Sequence, residues 1–190
     1  KVNPSEDNSN ESHIGGIKLS NLTPKMKVRI GVGLFFLMVG SYIAAAIVGY
    51  CLSWKQDMDQ LLGSQSIGSF LLDNEAPIAN FCGRLGAAIS HALVYNAFGI
   101  SAIAIAIFLM AFGWNIVNKK SIFPLYKIIK WLCFSILFFA PLLSFIFPDA
   151  TFPVGGFVGN SLIEWTSGFA GKAGVIIMLL LALSFFIFVV

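Results

Sequence analysis

The chain has 190 residues, of which 57% are hydrophobic and only 11% charged, with Phe alone at 19 positions; its mean hydropathy is +0.85. A water-soluble chain of this length cannot cover that much apolar surface, so the composition excludes a soluble globular domain and calls for lipid as the outer solvent. The net charge of +3 comes from bases that hug the edges of apolar runs, not from a basic-aromatic face of the kind that reads nucleic acid.

In chain order, residues 1–27 are polar and rich in Asn, Ser and Glu, which predicts a weakly ordered cytoplasmic lead-in. Residues 28–190 form the membrane domain. Its first span is expected at residues 30–52, an uncharged run of 23 residues that exceeds the roughly 7–15 of a secretory signal. Residues 53–82 are expected as a polar outer loop, followed by a short helix at 83–96 and a second span at 98–117. A third span is expected at 126–147, with Lys127 and Lys130 at its head and Pro141 as a candidate kink. An outer loop at 148–153 leads to a second short helix at 155–167 and a last span at 174–190. That last run counts 17 residues, about 25 Å, against a hydrocarbon core of about 30 Å, and it stops in the middle of FFIFVV. We therefore expect the chain to continue past Val190, and a start at Lys1 predicts trimming at the front.

Nine of the twelve basic residues, Lys1, Lys18, Lys25, Lys27, Arg29, Lys119, Lys120, Lys127 and Lys130, fall on one side of this plan. Positive flanking residues stay cytoplasmic, so both termini are expected inside and residues 53–82 and 148–153 outside. Asp57, Asp59, Asp73, Glu75, Asp149 and Glu164 fall on the outer side. The expected fold class is an all-α membrane protein with four transmembrane helices and two short amphipathic helices on the outer, periplasmic side.

The two halves echo each other. At an offset of 73, Gly83 meets Gly156, Leu85 meets Val158, Gly86 meets Gly159, Ile89 meets Leu162 and His91 meets Glu164; after a one-residue slip Gly99 meets Gly171. Helical spacing puts Leu85, Ile89 and Leu93 on one face of the first short helix and Arg84, His91 and Tyr95 on another, while Val158, Leu162 and Trp165 oppose Asn160, Ser161 and Glu164 in the second. These patterns predict interfacial helices, with Arg84, His91, Glu164 and Trp165 as outer-surface contacts. Gly83, Gly86, Gly156 and Gly159 are candidates for close helix packing and assembly, and Gly99 and Gly171 for breaks between short helix and span.

Candidate chemistry is sparse. The stretch GFAGKAG at 168–174 imitates a phosphate loop, yet G-x-x-x-x-G-K-[ST] would need glycine at Thr166 and a hydroxyl at Ala173. By the charge rule it also lies on the side away from cytoplasmic nucleotide. His13 and His91 have no second His or Cys at ligand spacing, so no metal site is expected. Cys51 and Cys82 lie near the outer surface, where a disulfide is possible if the first two spans pack side by side; Cys133 reads as packing. The span middles hold no Asp, Glu, Lys or Arg, which argues against a pump.

WKQDMDQLL at 54–62, NFCGRLGAAISHALVYNAFGIS at 80–101 and FPVGGFVGNSLIEWTSGFAGKAG at 152–174 together resemble the four-helix N-terminal membrane domain of the FtsK/SpoIIIE DNA translocases, especially those of Bacteroidetes-type bacteria. The resemblance covers residues 29–190. It implies an anchor in the bacterial inner membrane at the division septum, which contacts septal membrane proteins and assembles as a homo-oligomer, a hexamer by analogy with the motor. It also implies an ATP- and Mg-dependent motor on double-stranded DNA that this segment does not carry, so no catalytic or cofactor-binding residue is assigned here. The alternatives are a small four-span transporter or channel subunit, with Ser41, Ser90, Asn115 and Ser144 lining a path, or a non-motor membrane scaffold.

Overall fold

The uncharged run after Arg29 forms part of one helix, α1 (Pro24–Gly63), which is 40 residues long. It opens on proline, tolerated in a first turn because its missing N–H would have no helical partner there. It ends on the first glycine after a stretch, SWKQDMDQLL, that contains no helix breaker. The expected outer loop is thus helical up to Gly63, and a second short helix, α2 (Ile67–Leu72), follows. Hydropathy marks where lipid ends; Lys, Gln, Met and Leu keep the helix going beyond that point.

The remaining elements are α3 (Gly83–Ser90), a π-helical stretch (His91–Phe98), a 3₁₀ turn (Gly99–Ala102), α4 (Ile103–Asn118), α5 (Leu125–Phe134), a second π-helical stretch (Ser135–Phe139), α6 (Ala140–Ile146) and α7 (Gly156–Val189). The structure, a computed structural model, describes residues 13–14, 17–18, 23–63, 66–72, 77–118 and 124–189. Most of the polar lead-in, together with Asp73, Glu75, Lys119 and Lys120, lies outside those residues. Apart from an antiparallel ladder pairing His13 with Lys18 and Ile14 with Ile17, every described element is helical.

The third span carries its π stretch immediately before Pro141. Proline cannot donate to the carbonyl four residues back, that of Leu137, and its ring crowds that carbonyl, so the helix widens where the bond is missing.

Packing is two-fold in plan. In the first half α1 runs antiparallel to α4, and glycines bring the backbones together: a Cβ on Gly40 would stand 2.9 Å from Ala106 O, and one on Gly33 would stand 2.9 Å from Gly113 O. In lipid there is little hydrophobic drive between helices, so close approach through small residues supplies the contact energy. In the second half α5–α6 pack on the later part of α7 around Phe138, Val175 and Leu179, with the Phe134 and Phe186 rings stacked at 3.5 Å between centroids. The outer surface is apolar, with Met38, Phe185 and Phe188 exposed, as it must be where the solvent is acyl chain. Four helices, Pro24–Leu61, Gly83–Asn118, Leu125–Ile146 and Gly156–Phe188, are long and apolar enough to cross a membrane. The chain is a multi-pass membrane protein.

Lys25, Lys27, Lys127 and Lys130 mark one end of the bundle, called here the lysine end; α2, α3 and residues 147–155 mark the other, the loop end.

Candidate functional site

Among the described residues, glycines with positive φ are Gly83 (68°), Gly99 (62°), Gly156 (65°) and Gly171 (67°). They are four of the six glycines that pair in the sequence echo, Gly86 and Gly159 being the other two. Gly99 and Gly171 combine that φ with ψ of −146° and −176°, a region that residues with a Cβ essentially do not enter. Each sits where a short helix gives way to a span, as the sequence reading expected. Across the Gly171 break, Thr166 Oγ1 meets Met178 Sδ at 3.4 Å, so the span folds back beside the helix that precedes it.

The one-residue slip in the echo has a structural cause. Gly99 lies sixteen positions after Gly83, and Gly171 fifteen positions after Gly156. The first short helix alone contains a π stretch, at His91–Phe98, and π bonding from i to i+5 accommodates one extra residue in a turn.

In both halves the second glycine of the pair packs on an alanine of the preceding span. A Cβ on Gly86 would lie 3.5 Å from Ala46 Cβ, and one on Gly159 would lie 2.5 Å from Ala140 O. Around this shared geometry the halves differ. In the first, residues 77–82 run along α1 on a series of hydrogen bonds. Gln60 Nε2 donates to Pro77 O (2.7 Å), Ala79 N to Asp57 Oδ1 (2.8 Å), Asn80 Nδ2 to Ala46 O (3.0 Å) and Tyr42 Oη to Cys82 O (2.9 Å). Asp57 is fully buried and also accepts from Ser53 Oγ at 2.6 Å. Irregular backbone beside a span survives when protein groups satisfy it, and here α1 does so. In the second half Ser144 Oγ donates to Asn160 Oδ1 at 2.6 Å.

The predicted faces of the short helices are corrected. Leu85 is exposed, whereas Gly86, Ala87, Ser90, His91 and Val94 are buried. His91, expected at the outer surface, has Nδ1 3.1 Å from Tyr50 Oη and its ring stacked on Tyr95 at 4.8 Å. The reason is solvent: an apolar face can point at lipid, so the small and polar face turns inward. Arg84 reaches back to α2, donating from Nη1 to Phe70 O at 2.9 Å with its guanidinium over the Phe70 ring. Glu164 and Trp165 are exposed, Trp165 stacked on Phe169.

The cysteine expectation is also corrected. Cys51, Cys82 and Cys133 are free thiols. Cys82 sits against Tyr42, nine residues or about 13 Å along α1 from Cys51, and Cys51 is exposed on α1 while neighbouring Tyr50 points into the core. Of the polar residues proposed to line a path, Ser90 bonds its own helix at Gly86 O (2.6 Å), Ser41 meets Met110 Sδ at 3.7 Å and Ser144 holds Asn160. Each hydroxyl has a local partner, and they do not converge. Gly33, Gly40 and Gly113 were missed as packing residues; the seven-residue spacing of Gly33 and Gly40, two helical turns on one face, was the available signal.

The halves meet at the loop end. Gly156 lies where a Cβ would overlap Gly99 N and stand 2.5 Å from Ala97 O, and Ile100 N donates to Val154 O at 2.9 Å. Phe152 reaches from the second half into the core of the first, its ring 5.7 Å from that of Trp54 and near edge-on to it. The entry of the second short helix is therefore seated on the exit of the first.

Residues 26–190 match the family model described as the 4TM region of DNA translocase FtsK/SpoIIIE. No curated protein and no solved structure matches the chain.

Proposed function

The chain belongs to the four-transmembrane family of the FtsK/SpoIIIE DNA translocases, and from that premise we propose that it anchors and assembles an FtsK-type translocase at the division septum, coupling chromosome segregation to cell division. The observation that carries the reading is the family match over residues 26–190, which embraces all four spans. The four-span region is a membrane domain and not itself the motor. Its part in translocation is positional: it holds protomers together in the inner membrane and fixes an ATP- and Mg-dependent motor, acting on double-stranded DNA, beside the closing septum. The lysine end faces the cytoplasm in this reading, because Lys25, Lys27, Arg29, Lys127 and Lys130 cluster there. Septal membrane proteins are the proposed neighbours, with Glu164 and Trp165, both exposed, as the proposed contacts.

A fluorescent fusion of residues 1–190 tests the positional claim. Concentration at the septum of dividing cells supports it, and an even signal around the envelope overturns it. Thiol labelling of single-cysteine variants tests orientation, with labelling of the loop end from outside the inner membrane as the expected result. The coding sequence past Val190 tests the motor: a G-x-x-x-x-G-K-[ST] loop supports it, and a stop codon soon after counts against it.

A further inference from the structure

The junction between the halves is open-ended. If the two halves were related by a closed two-fold, two equivalent contacts would form: exit glycine Gly99 on entry glycine Gly156, and exit glycine Gly171 on entry glycine Gly83. Only the first is made. Gly99 and Gly156 are buried against each other, whereas among the described residues a Cβ on Gly83 or on Gly171 would meet nothing within 4 Å. A positive-φ glycine thus recurs at four places, two engaged and two vacant, and the vacant pair lies at the entry of the first short helix and the exit of the last.

We propose that the vacant pair is the interface between copies of this chain, Gly83 of one copy seated on Gly171 of the next in a head-to-tail contact that repeats the internal junction. The inference deepens the assembly reading above and rests on it. The same echo, at an offset of 73 before the one-residue slip and 72 after it, names the other participants. Phe81 is the counterpart of Val154, whose carbonyl accepts from Ile100 N in the internal junction, and Lys172 is the counterpart of Ile100. Phe81 is 64% exposed and Lys172 is exposed, so both are free to meet a neighbour. Phe169, which stands where Ala97 does, is 83% exposed and stacked beside Trp165, an aromatic pair without a cover in one copy. Arg84 does not obstruct the approach, because its guanidinium is turned back onto Phe70. A contact between two different patches is heterologous, so it propagates from copy to copy and closes into a ring when the rotation allows.

The test uses the full chain in native membranes, with Cys51→Ala, Cys82→Ala and Cys133→Ala as background and Phe81→Cys and Lys172→Cys added singly or together. Oxidation of the double variant is expected to give a ladder of crosslinked multimers, and each single variant none; mixing the two single variants with different tags is expected to give one mixed dimer. Dimers formed by a single variant alone indicate a two-fold contact and overturn the proposal. Absence of crosslinks while differently tagged chains still co-purify also overturns it and leaves assembly standing by another surface. Absence of both defeats assembly as well. Thermal melting of each variant beside its background shows that it is folded, and both added sites are exposed, so a folding defect is distinguishable from a missing contact.

Discussion

The two halves of the bundle reach one topology by different means. The first half holds its short helix with buried polar groups, Tyr50, Asp57, Asn80 and His91, and ties residues 77–82 to α1 along most of its loop end. The second half uses an apolar core of Phe138, Val175 and Leu179 and glycine contacts close enough that Gly159 lies against the Ala140 carbonyl. What they share is the pair of glycine hinges and the seat on an alanine of the preceding span. The comparison shows that the hinge geometry defines the repeat, and that the interactions holding it are interchangeable.

The sharpest way to break that comparison is at the hinges, because Gly99 and Gly171 have the same backbone and different surroundings. Gly171→Ala meets open space and costs only the strain of an unfavourable conformation, about 1–3 kcal/mol. Gly99→Ala adds overlap with the Val154 carbonyl, bringing the loss to about 4 kcal/mol. Unfolding of the two variants in mixed micelles separates strain from overlap; equal losses would mean that the junction between halves contributes nothing.

The next effect is expected at Asp57. Replacing it by Ala strands the Ala79 N–H, while the Ser53 hydroxyl keeps Gly49 O as an acceptor, and the loss is about 1–3 kcal/mol. Because the carboxylate pins residues 77–82, the expected signature is cleavage of that segment by added protease in a bundle that otherwise stays folded. No residue of the second half has this role, so protection of residues 147–155 should not change.

Smaller again is the link between Tyr50 and His91. Tyr50→Phe and His91→Phe each remove one buried hydrogen bond, at about 1 kcal/mol, and a double-mutant cycle is expected to return a coupling of about the same size. A cycle with no coupling would reduce the pair to two packed rings.

How much of this was legible in the sequence differs by kind of signal. Spans and hinges were readable because hydropathy reports the solvent and glycine reports a backbone that other residues avoid: the echo paired Gly83 with Gly156 and Gly99 with Gly171, and those are the positive-φ glycines. The facing of the short helices was not readable by the rule for soluble helices. Leu85 is exposed and His91 buried, while Leu93, on the face of Leu85, packs against the core, so the buried side lies between the two faces that the periodicity separated. Asp57 was taken for a loop residue because it follows the apolar run; the breaker-free stretch up to Gly63 was the signal that α1 continues, but no local pattern tells that Ala79 returns to bond with it. The thiols of Cys51 and Cys82 were near in the plan and separate in space, because distance along a helix does not reveal how far residues 77–82 travel back down it.

The smallest expected effect is the most discriminating for the second half. Ser144→Ala removes the side-chain hydrogen bond that ties the second short helix to the span before it, the bond to Asn160. Interhelical hydrogen bonds in lipid average about 0.6 kcal/mol, because the unfolded chain in the membrane also finds partners for its polar groups. The methyl group that remains still fills the place beside Gly155 and Gly159, so the glycine contacts persist. A loss near that average, well below the loss from Asp57→Ala, is therefore expected in the same unfolding assay. If Ser144→Ala proved as costly as Asp57→Ala, the second half would depend on polar bonding as the first does, and the distinction drawn between them would fall.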